Sequence, residues 1–175
     1  MARTKSSPSS HPKAARADAN MPDAVELLKR DHDTVDGLFK EFDSAKQSDD
    51  QPAKAEVAAR ICNELTIHTT IEEEIFYPAA RSALGADGDE LLDEAEVEHQ
   101  TAKTLIAQLA AMSPDEDLYD AKVAVLGEYI RHHVKEEESE LFPMIEETDL
   151  DLEALGSRLK ARKDVLHGEF EEQAV

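Results

Sequence analysis

Two copies of one short motif contain the residues of this chain that are best suited to chemistry. The copies read HTTIEEEIFYP at His68–Pro78 and HVKEEESELFP at His133–Pro143. In each copy a glutamate follows the histidine by four residues, so that on a helix both side chains lie on one face, one turn apart. A further histidine precedes each copy, His32 by 36 residues and His99 by 34 residues. The chain is therefore a doubled unit of one histidine followed by His-x-x-x-Glu.

The doubled unit predicts a metal site. The candidate ligands are His32, His68, Glu72, His99, His133 and Glu137. Each falls within the apolar stripe of a predicted helix, and a buried carboxylate is costly unless it is paired or coordinates a cation. Imidazole and carboxylate ligands suit iron, manganese or zinc. Taken singly, each histidine is typical of a hydrogen-bonded core residue and each glutamate run of a solvated face. Their repetition favours the metal site, and two equivalent ligand sets favour two ions.

The elements that must position these residues are helices. Apolar periodicity and turn residues predict helices over about 22–46, 52–84, 89–112 and 114–147, with Pro114 in the first turn of the fourth. The predicted fold is all-α, an up-down-up-down four-helix bundle with a short additional C-terminal helix. The predicted domain organisation is a disordered tail at 1–20, the bundle at 21–148 and an amphipathic helix at 149–175.

Composition narrows the function classes. The formal net charge of −21 argues against nucleic acid or an anionic membrane surface as a partner. The single cysteine, Cys62, excludes an internal disulfide and a cysteine-based zinc site, and we expect it to be a small core residue. The sequence has neither an apolar run of membrane-spanning length nor a signal-peptide pattern, so a cytoplasmic location is expected.

The six candidate ligands, with Phe76-Tyr77-Pro78 and Leu141-Phe142-Pro143 beside them, resemble the hemerythrin-like, or HHE cation-binding, domain family over about 23–147. The resemblance implies a four-helix bundle with a non-haem di-iron centre. It also implies histidines as terminal ligands and bridging roles for Glu72 and Glu137. The implied ligands for such a centre are O2, peroxide or nitric oxide, in sensing, storage or detoxification. Three alternatives stay open: an iron-sensing or iron-storing module without small-molecule chemistry, a catalase-like or oxidase enzyme at the same site, and a purely structural helical bundle.

One position departs from the family's oxygen carriers. These have a fifth histidine one turn after the third-helix histidine, where this chain has Lys103. We hypothesise that the extra open position favours reactions with oxygen, peroxide or nitric oxide over reversible oxygen binding. Lys103 would then donate a hydrogen bond to peroxide. The alternative is a lysine that extends toward solvent and pairs with an acid such as Glu98.

Several neighbouring residues have expected places but no assigned catalytic role. Phe76 and Phe142 are expected to wall the site, and Tyr129 to contact it as a donor or to be a core tyrosine. His132 is expected at a helix boundary or on the surface. The residues expected to lie outside the site, with exposure favoured over a seventh-ligand role for the glutamates, are His11, His167, Glu64 and Glu140.

Overall fold

Four long helical stretches form the bundle in the computed structural model, which describes residues 22–173. The first is α1 (Ala24–Gln47), and the second joins α2 (Gln51–Ile71), a first π segment (Glu72–Phe76) and α3 (Tyr77–Leu84). A 3-10 turn (Gly85–Asp87) leads into α4 (Asp89–Ala110). The fourth stretch joins α5 (Tyr119–Glu136), a second π segment (Glu137–Leu141) and α6 (Phe142–Glu146), and α7 (Leu152–Gln173) follows. The all-α bundle with an additional C-terminal helix is confirmed. The predicted tail at 1–20 lies outside the described residues.

Aspartate side chains cap three of the helices. Asp23, Asp50 and Asp151 each accept a hydrogen bond from a backbone N–H three residues later, at 2.9, 3.0 and 2.9 Å. Such caps satisfy donors that lack a partner within the helix. The three caps therefore fix the starts of α1, α2 and α7.

Two expectations about helix bounds need correction. The fourth stretch begins at Tyr119 rather than near Pro114, because residues 113–118 form turns and Leu118 has a left-handed φ of 72°. The Pro114 carbonyl accepts a hydrogen bond from the buried Lys54 at 3.2 Å, which holds the turn against α2. The C-terminal helix, expected to be short, has 22 residues, as many as α4.

Two apolar clusters fill the bundle, one at each end of the candidate site. One cluster, with Leu28, Phe76 and Phe142, also contains α7 residues; the other contains Phe39, Leu65 and residues of α5. Gly156 allows α7 to approach the start of α1, since a Cβ there would stand 2.7 Å from the Pro22 carbonyl oxygen. No helix of the described part is long and apolar enough to cross a membrane.

Both predicted ligand glutamates stand at the first position of a π segment. The N–H of Tyr77 donates to the carbonyl of Glu72, and the N–H of Phe142 donates to that of Glu137, each across five residues. A π turn contains one residue more than an α turn and is frequent at functional sites. The two motif copies therefore share a backbone feature, the π segment, as well as their residues.

Candidate metal centre

The six predicted ligands converge in the middle of the bundle. All six are buried, with 0% exposure for Glu72 and at most 6% for the others. Their inward-facing atoms form two groups, each within 4.8 Å: one contains His32, His68, Glu72 and Glu137, the other Glu72, His99 and His133. We call these six residues the buried cluster.

Each glutamate of the buried cluster lies between one histidine from each half of the repeat. Glu137 Oε2 is 3.3 Å from His32 Nε2 and 3.4 Å from His133 Nε2. Glu72 Oε2 is 3.2 Å from His68 Nε2 and 3.4 Å from His99 Nε2. Two ligands about 2.1 Å from one ion stand about 3.0 Å apart at a right angle and about 3.4 Å apart at the tetrahedral angle. The observed separations fit shared cations.

The outward-facing nitrogen of every histidine faces a carboxylate. The Nδ1 atoms of His32, His99 and His133 are 2.8, 3.0 and 2.9 Å from oxygens of Glu138, Glu73 and Glu98. His68 Nδ1 is 3.7 Å from Asp31 Oδ2, which is too far for a hydrogen bond, and both atoms lack a hydrogen-bond partner. We call these four acids the outer carboxylates. An imidazole that donates its Nδ1–H to a carboxylate presents the lone pair of Nε2 to a metal.

Several inward atoms have no hydrogen-bond partner. Among them are Nε2 of His32 and of His68, both carboxylate oxygens of Glu72 and Oε2 of Glu137. The Nε2 atoms of His99 and His133 face each other at 3.2 Å, so two lone pairs meet when both rings donate through Nδ1. Unpartnered buried polar atoms are rare and costly. A cation between these atoms removes the cost, and the donor set therefore fits a metal.

Burial sets the protonation of the buried cluster. Burial raises the pKa of Glu72 well above its ordinary value, and Glu137 nearby raises it further. Burial acts on Glu137 in the same direction, but His133 and His32 outweigh it and hold its pKa below the usual range. Burial and His133 lower the pKa of His99 to about 2, so this ring is neutral and free to bind a metal. Metal binding would also let both carboxylates ionise.

Aromatic residues close the buried cluster on one side. The Phe142 ring stacks on His32 with centroids 5.8 Å apart, and Phe76 meets Phe142 edge to face at 5.6 Å. Both phenylalanines are fully buried, in the position predicted for them. The hydroxyl of Tyr77 donates to Glu137 Oε1 at 3.0 Å, and its oxygen lies 3.2 Å from His99 Nε2.

The model of the hemerythrin HHE cation-binding domain matches residues 23–145. The chain belongs to the hemerythrin HHE cation-binding domain family. The match contains both motif copies, and it makes cation binding the domain's shared property. The family resemblance is thereby confirmed.

Three comparisons place this HHE domain among known proteins. An uncharacterized protein of Mycobacterium bovis is 27% identical over 148 residues, which cover 83% of this chain and 88% of that protein. A DNA nickase of Nostoc sp. is 35% identical over 131 residues, 74% of this chain but only 34% of the nickase. The crystal structure of a hemerythrin HHE cation-binding domain-containing protein from Mycobacterium kansasii matches with a TM-score of 0.71 and 26% identity, covering 85% of this chain and 90% of that one.

Sequence reasoning placed some neighbours of the HHE site wrongly. Tyr129 is 42% exposed and is neither a core residue nor a donor to the site; the tyrosine in the site is Tyr77. Lys103 is a partly exposed lysine paired with an acid, as the alternative expected, but the acid is Glu73 rather than Glu98: Lys103 Nζ contacts both oxygens of Glu73 at 2.6 Å. Cys62 is only partly buried, against one core cluster.

The remaining neighbours of the site lie where they were expected. His132 and Glu140 are exposed. Glu64 lies outside the site as expected, near Lys163 and His167 at 4.0 and 3.9 Å, but it is partly buried rather than exposed. His11 lies outside the described residues.

The outer carboxylates were missed, although the sequence contains a signal for them. Each is the chain neighbour of a predicted ligand, as Asp31 is of His32 and Glu73 is of Glu72. Each faces a histidine on a different helix, and the pairings repeat in the two halves of the chain. In each half, the acid before the first histidine faces the second histidine of the same half. The acid after each ligand glutamate faces the first histidine of the other half. The full signal is therefore acid-His followed by His-x-x-x-Glu-acid.

Proposed function

We propose that this HHE domain holds two non-haem iron ions and binds or reacts with O2, peroxide or nitric oxide, in sensing, storage or detoxification. The observation that carries the proposal is the position of the two glutamates. Each carboxylate stands between a histidine of one half and a histidine of the other, at 3.2–3.4 Å. Nitrogen and oxygen donors without a thiolate suit iron, with manganese and zinc as the other candidates.

The chain's own residues prepare the site for such ions. The ions would be held by Nε2 of His32, His68, His99 and His133 and by the carboxylates of Glu72 and Glu137. Iron held in this way would supply electrons to small oxygen- or nitrogen-containing molecules. Glu138, Glu73 and Glu98 hold the rings of His32, His99 and His133 by hydrogen bonds. Such outer partners typically change metal affinity about 10–100-fold. The phenylalanines exclude water from one side.

A cavity between α1 and α5 offers a route for a small ligand. It has a volume of about 470 Å³ and is lined by His32, by the apolar side chains of Phe39, Ile130 and Val134, and by Glu138 among others. A small neutral molecule that enters there meets His32, a member of the buried cluster. The mixed apolar lining suits an uncharged diatomic better than a large anion.

The proposal is tested by the optical spectrum of the ferrous-loaded protein without oxygen, in air, and after oxygen is removed. A reversible new band is expected of a carrier or sensor, and an irreversible ferric spectrum of redox chemistry. The same sample is then mixed with peroxide and with nitric oxide. His99→Ala should abolish every change, whereas His167→Ala, a partly exposed histidine outside the cluster, should leave them intact. If no iron-dependent band appears with any of the three molecules, the proposed reactivity is wrong.

Lys103 gives the proposal a sharper test. It lies one turn after His99 and pairs with Glu73, which in turn contacts His99 Nδ1. Lys103→His adds an imidazole but also removes the Lys103–Glu73 ion pair. Lys103→Met is the matched control, because it removes the ion pair without adding an imidazole. We expect the histidine variant alone to shift the oxygen chemistry toward reversible binding. Equal behaviour of both variants would mean that the missing fifth histidine has no consequence.

The alternatives predict other outcomes of the same experiments. An iron-sensing or iron-storing module would gain stability with iron and show no ligand-dependent spectrum. A catalase-like or oxidase enzyme would consume peroxide or oxygen in large excess over protein. The DNA nickase has the activity of its name, but this chain covers 34% of it and has a net charge of −21, which opposes DNA binding. The cytoplasmic location and the domain boundaries at 21–148 and 149–175 stay predictions.

A further inference from the structure

A second group of metal-type ligands lies on the surface beside the buried cluster. Glu98 of α4 meets His132 and Glu136 of α5, and the three offer ligand atoms within 4.8 Å of one another. His132 Nε2 is 3.3 Å from Glu136 Oε1 and 3.6 Å from Glu98 Oε1. These separations resemble those in the buried cluster and fit one shared cation. We call Glu98, His132 and Glu136 the surface triad.

The surface triad has an excess of negative charge that no lysine or arginine offsets. Two other outer carboxylates are each paired with a lysine, Asp31 with Lys163 and Glu73 with Lys103. Within the described part of the chain, Glu98 and Glu136 have no lysine or arginine nitrogen within 4.0 Å; the groups that face them are imidazoles, His132 for both and His133 for Glu98. Glu90 and Glu94 line the same opening. Such a concentration of one charge attracts cations.

The surface triad is continuous with the buried cluster. A small cavity of about 10 Å³ is lined by Glu98 and Glu136 on one side and by His133 and Glu137 on the other. Glu137 is 2% exposed, and its Oε2 has no hydrogen-bond partner. Glu98 contacts both histidines, with Oε1 toward His132 and Oε2 on His133 Nδ1. A cation at the triad is thus separated from an unpartnered buried carboxylate by one side chain and a cavity of about one water's size.

We propose that the surface triad is a cation-loading site, which captures a divalent metal from solution and delivers it past Glu98 to the buried cluster. This inference rests on the proposed metal-binding function of that cluster. The other opening near the buried cluster, at His32, is lined by the carboxylates of Asp33, Asp36 and Glu138 but also by Arg131 and Lys135, which offset two of the three negative charges and make it less suited to a cation than the surface triad. In this proposal the metal enters at the surface triad, and the small ligand enters through the cavity at His32.

The test is the rate of metal uptake. Metal-free protein is mixed with Co²⁺, a coloured probe, and with Fe²⁺ in the absence of oxygen, and the absorbance change is followed by stopped flow. The double variant His132→Ala/Glu136→Gln keeps Glu98 and every residue of the buried cluster. We expect it to load about tenfold more slowly, with unchanged stoichiometry and equilibrium affinity at the buried cluster, because only the attracting charge and ligands are lost. High salt should slow the parent more than the variant.

His167→Ala is the matched control, since it removes another partly exposed histidine beside a glutamate, 3.9 Å from Glu64. It should load at the parent's rate. A second titration uses protein whose buried cluster is already filled: the parent should bind one further, weaker Co²⁺ ion per chain, and the double variant none. Equal loading rates for parent and double variant would overturn the loading site. A parent that binds no metal at all would instead overturn the proposed function, and the loading site with it.

Discussion

Lys163 connects the C-terminal helix to the buried cluster, and its replacement by methionine has a predictable cost. Its ammonium group pairs with Asp31, which is 7% exposed and faces His68. Lys163→Met therefore leaves a buried carboxylate without its cation. Breaking a fully buried pair costs about 3–5 kcal/mol. Because the Lys163 side chain is 18% exposed, water can partly solvate the Asp31 carboxylate in the variant. We therefore expect the free energy of unfolding to fall by about 2 kcal/mol.

The assay is urea unfolding of the metal-free protein followed by circular dichroism. Lys160→Met is the matched control, one turn earlier on the same helix, where the pair with Asp164 is 48% and 59% exposed. An exposed pair contributes less than about 1 kcal/mol. The double variant Asp31→Asn/Lys163→Met should recover part of the loss, since no buried charge then lacks a partner. Equal stability of Lys163→Met and Lys160→Met would refute the reasoning that α7 supports the site.

Three further predictions concern single positions. Tyr77→Phe removes the donor to Glu137 and should lower the unfolding free energy of the metal-free protein by about 1.5–3 kcal/mol in the same urea assay. Gly156→Ala should lower the melting temperature, because its Cβ would stand 2.7 Å from α1 backbone, whereas Gly168→Ala, with open space around it, should not. Burial raises the pKa of Cys62 from 9.0 to about 11, so iodoacetamide should alkylate the folded protein roughly a hundredfold more slowly than the unfolded chain at neutral pH.

The positions of the buried residues followed from spacing alone. A glutamate four residues after a histidine lies on the same helix face, and His68 and Glu72 do so, as do His133 and Glu137. The apolar stripes placed these faces inward, because a helix buries its apolar side. The sequence thus predicted the bundle and which six residues it brings together.

Backbone details depended on interactions that periodicity does not report. The π segments at Glu72 and Glu137 each add a residue to a turn and shift the buried face beyond them by one position, so that Ile145 is buried and Met144 only partly. A search for one constant helical period does not reveal this shift. The turns that delay α5 to Tyr119 include a long-range contact, in which the buried Lys54 donates a hydrogen bond to the Pro114 carbonyl 60 residues away. The local sequence around Pro114 does not report such a contact.

Side-chain partners between helices were also beyond the sequence. Glu73 and Glu138 belong to acidic runs that are typical of solvated faces, and each is in fact partly exposed. Their carboxylates nevertheless reach a histidine of another helix, at 3.0 and 2.8 Å. Which helix faces which is set by the packing of the whole bundle. The acids occur at the same positions in both halves of the sequence, but their histidine partners could be identified only from the arrangement of the helices.

The central claim is that the buried cluster holds two metal ions between the halves of the repeat. It is tested most directly by titrating metal-free protein with Fe²⁺ in the absence of oxygen, with bound iron counted by equilibrium dialysis. The account predicts two tightly bound ions per chain, and weaker binding in Glu137→Gln, because that carboxylate lies 3.3 and 3.4 Å from histidines of both halves. Tight binding of a single ion, or equal binding by parent and variant, would contradict it.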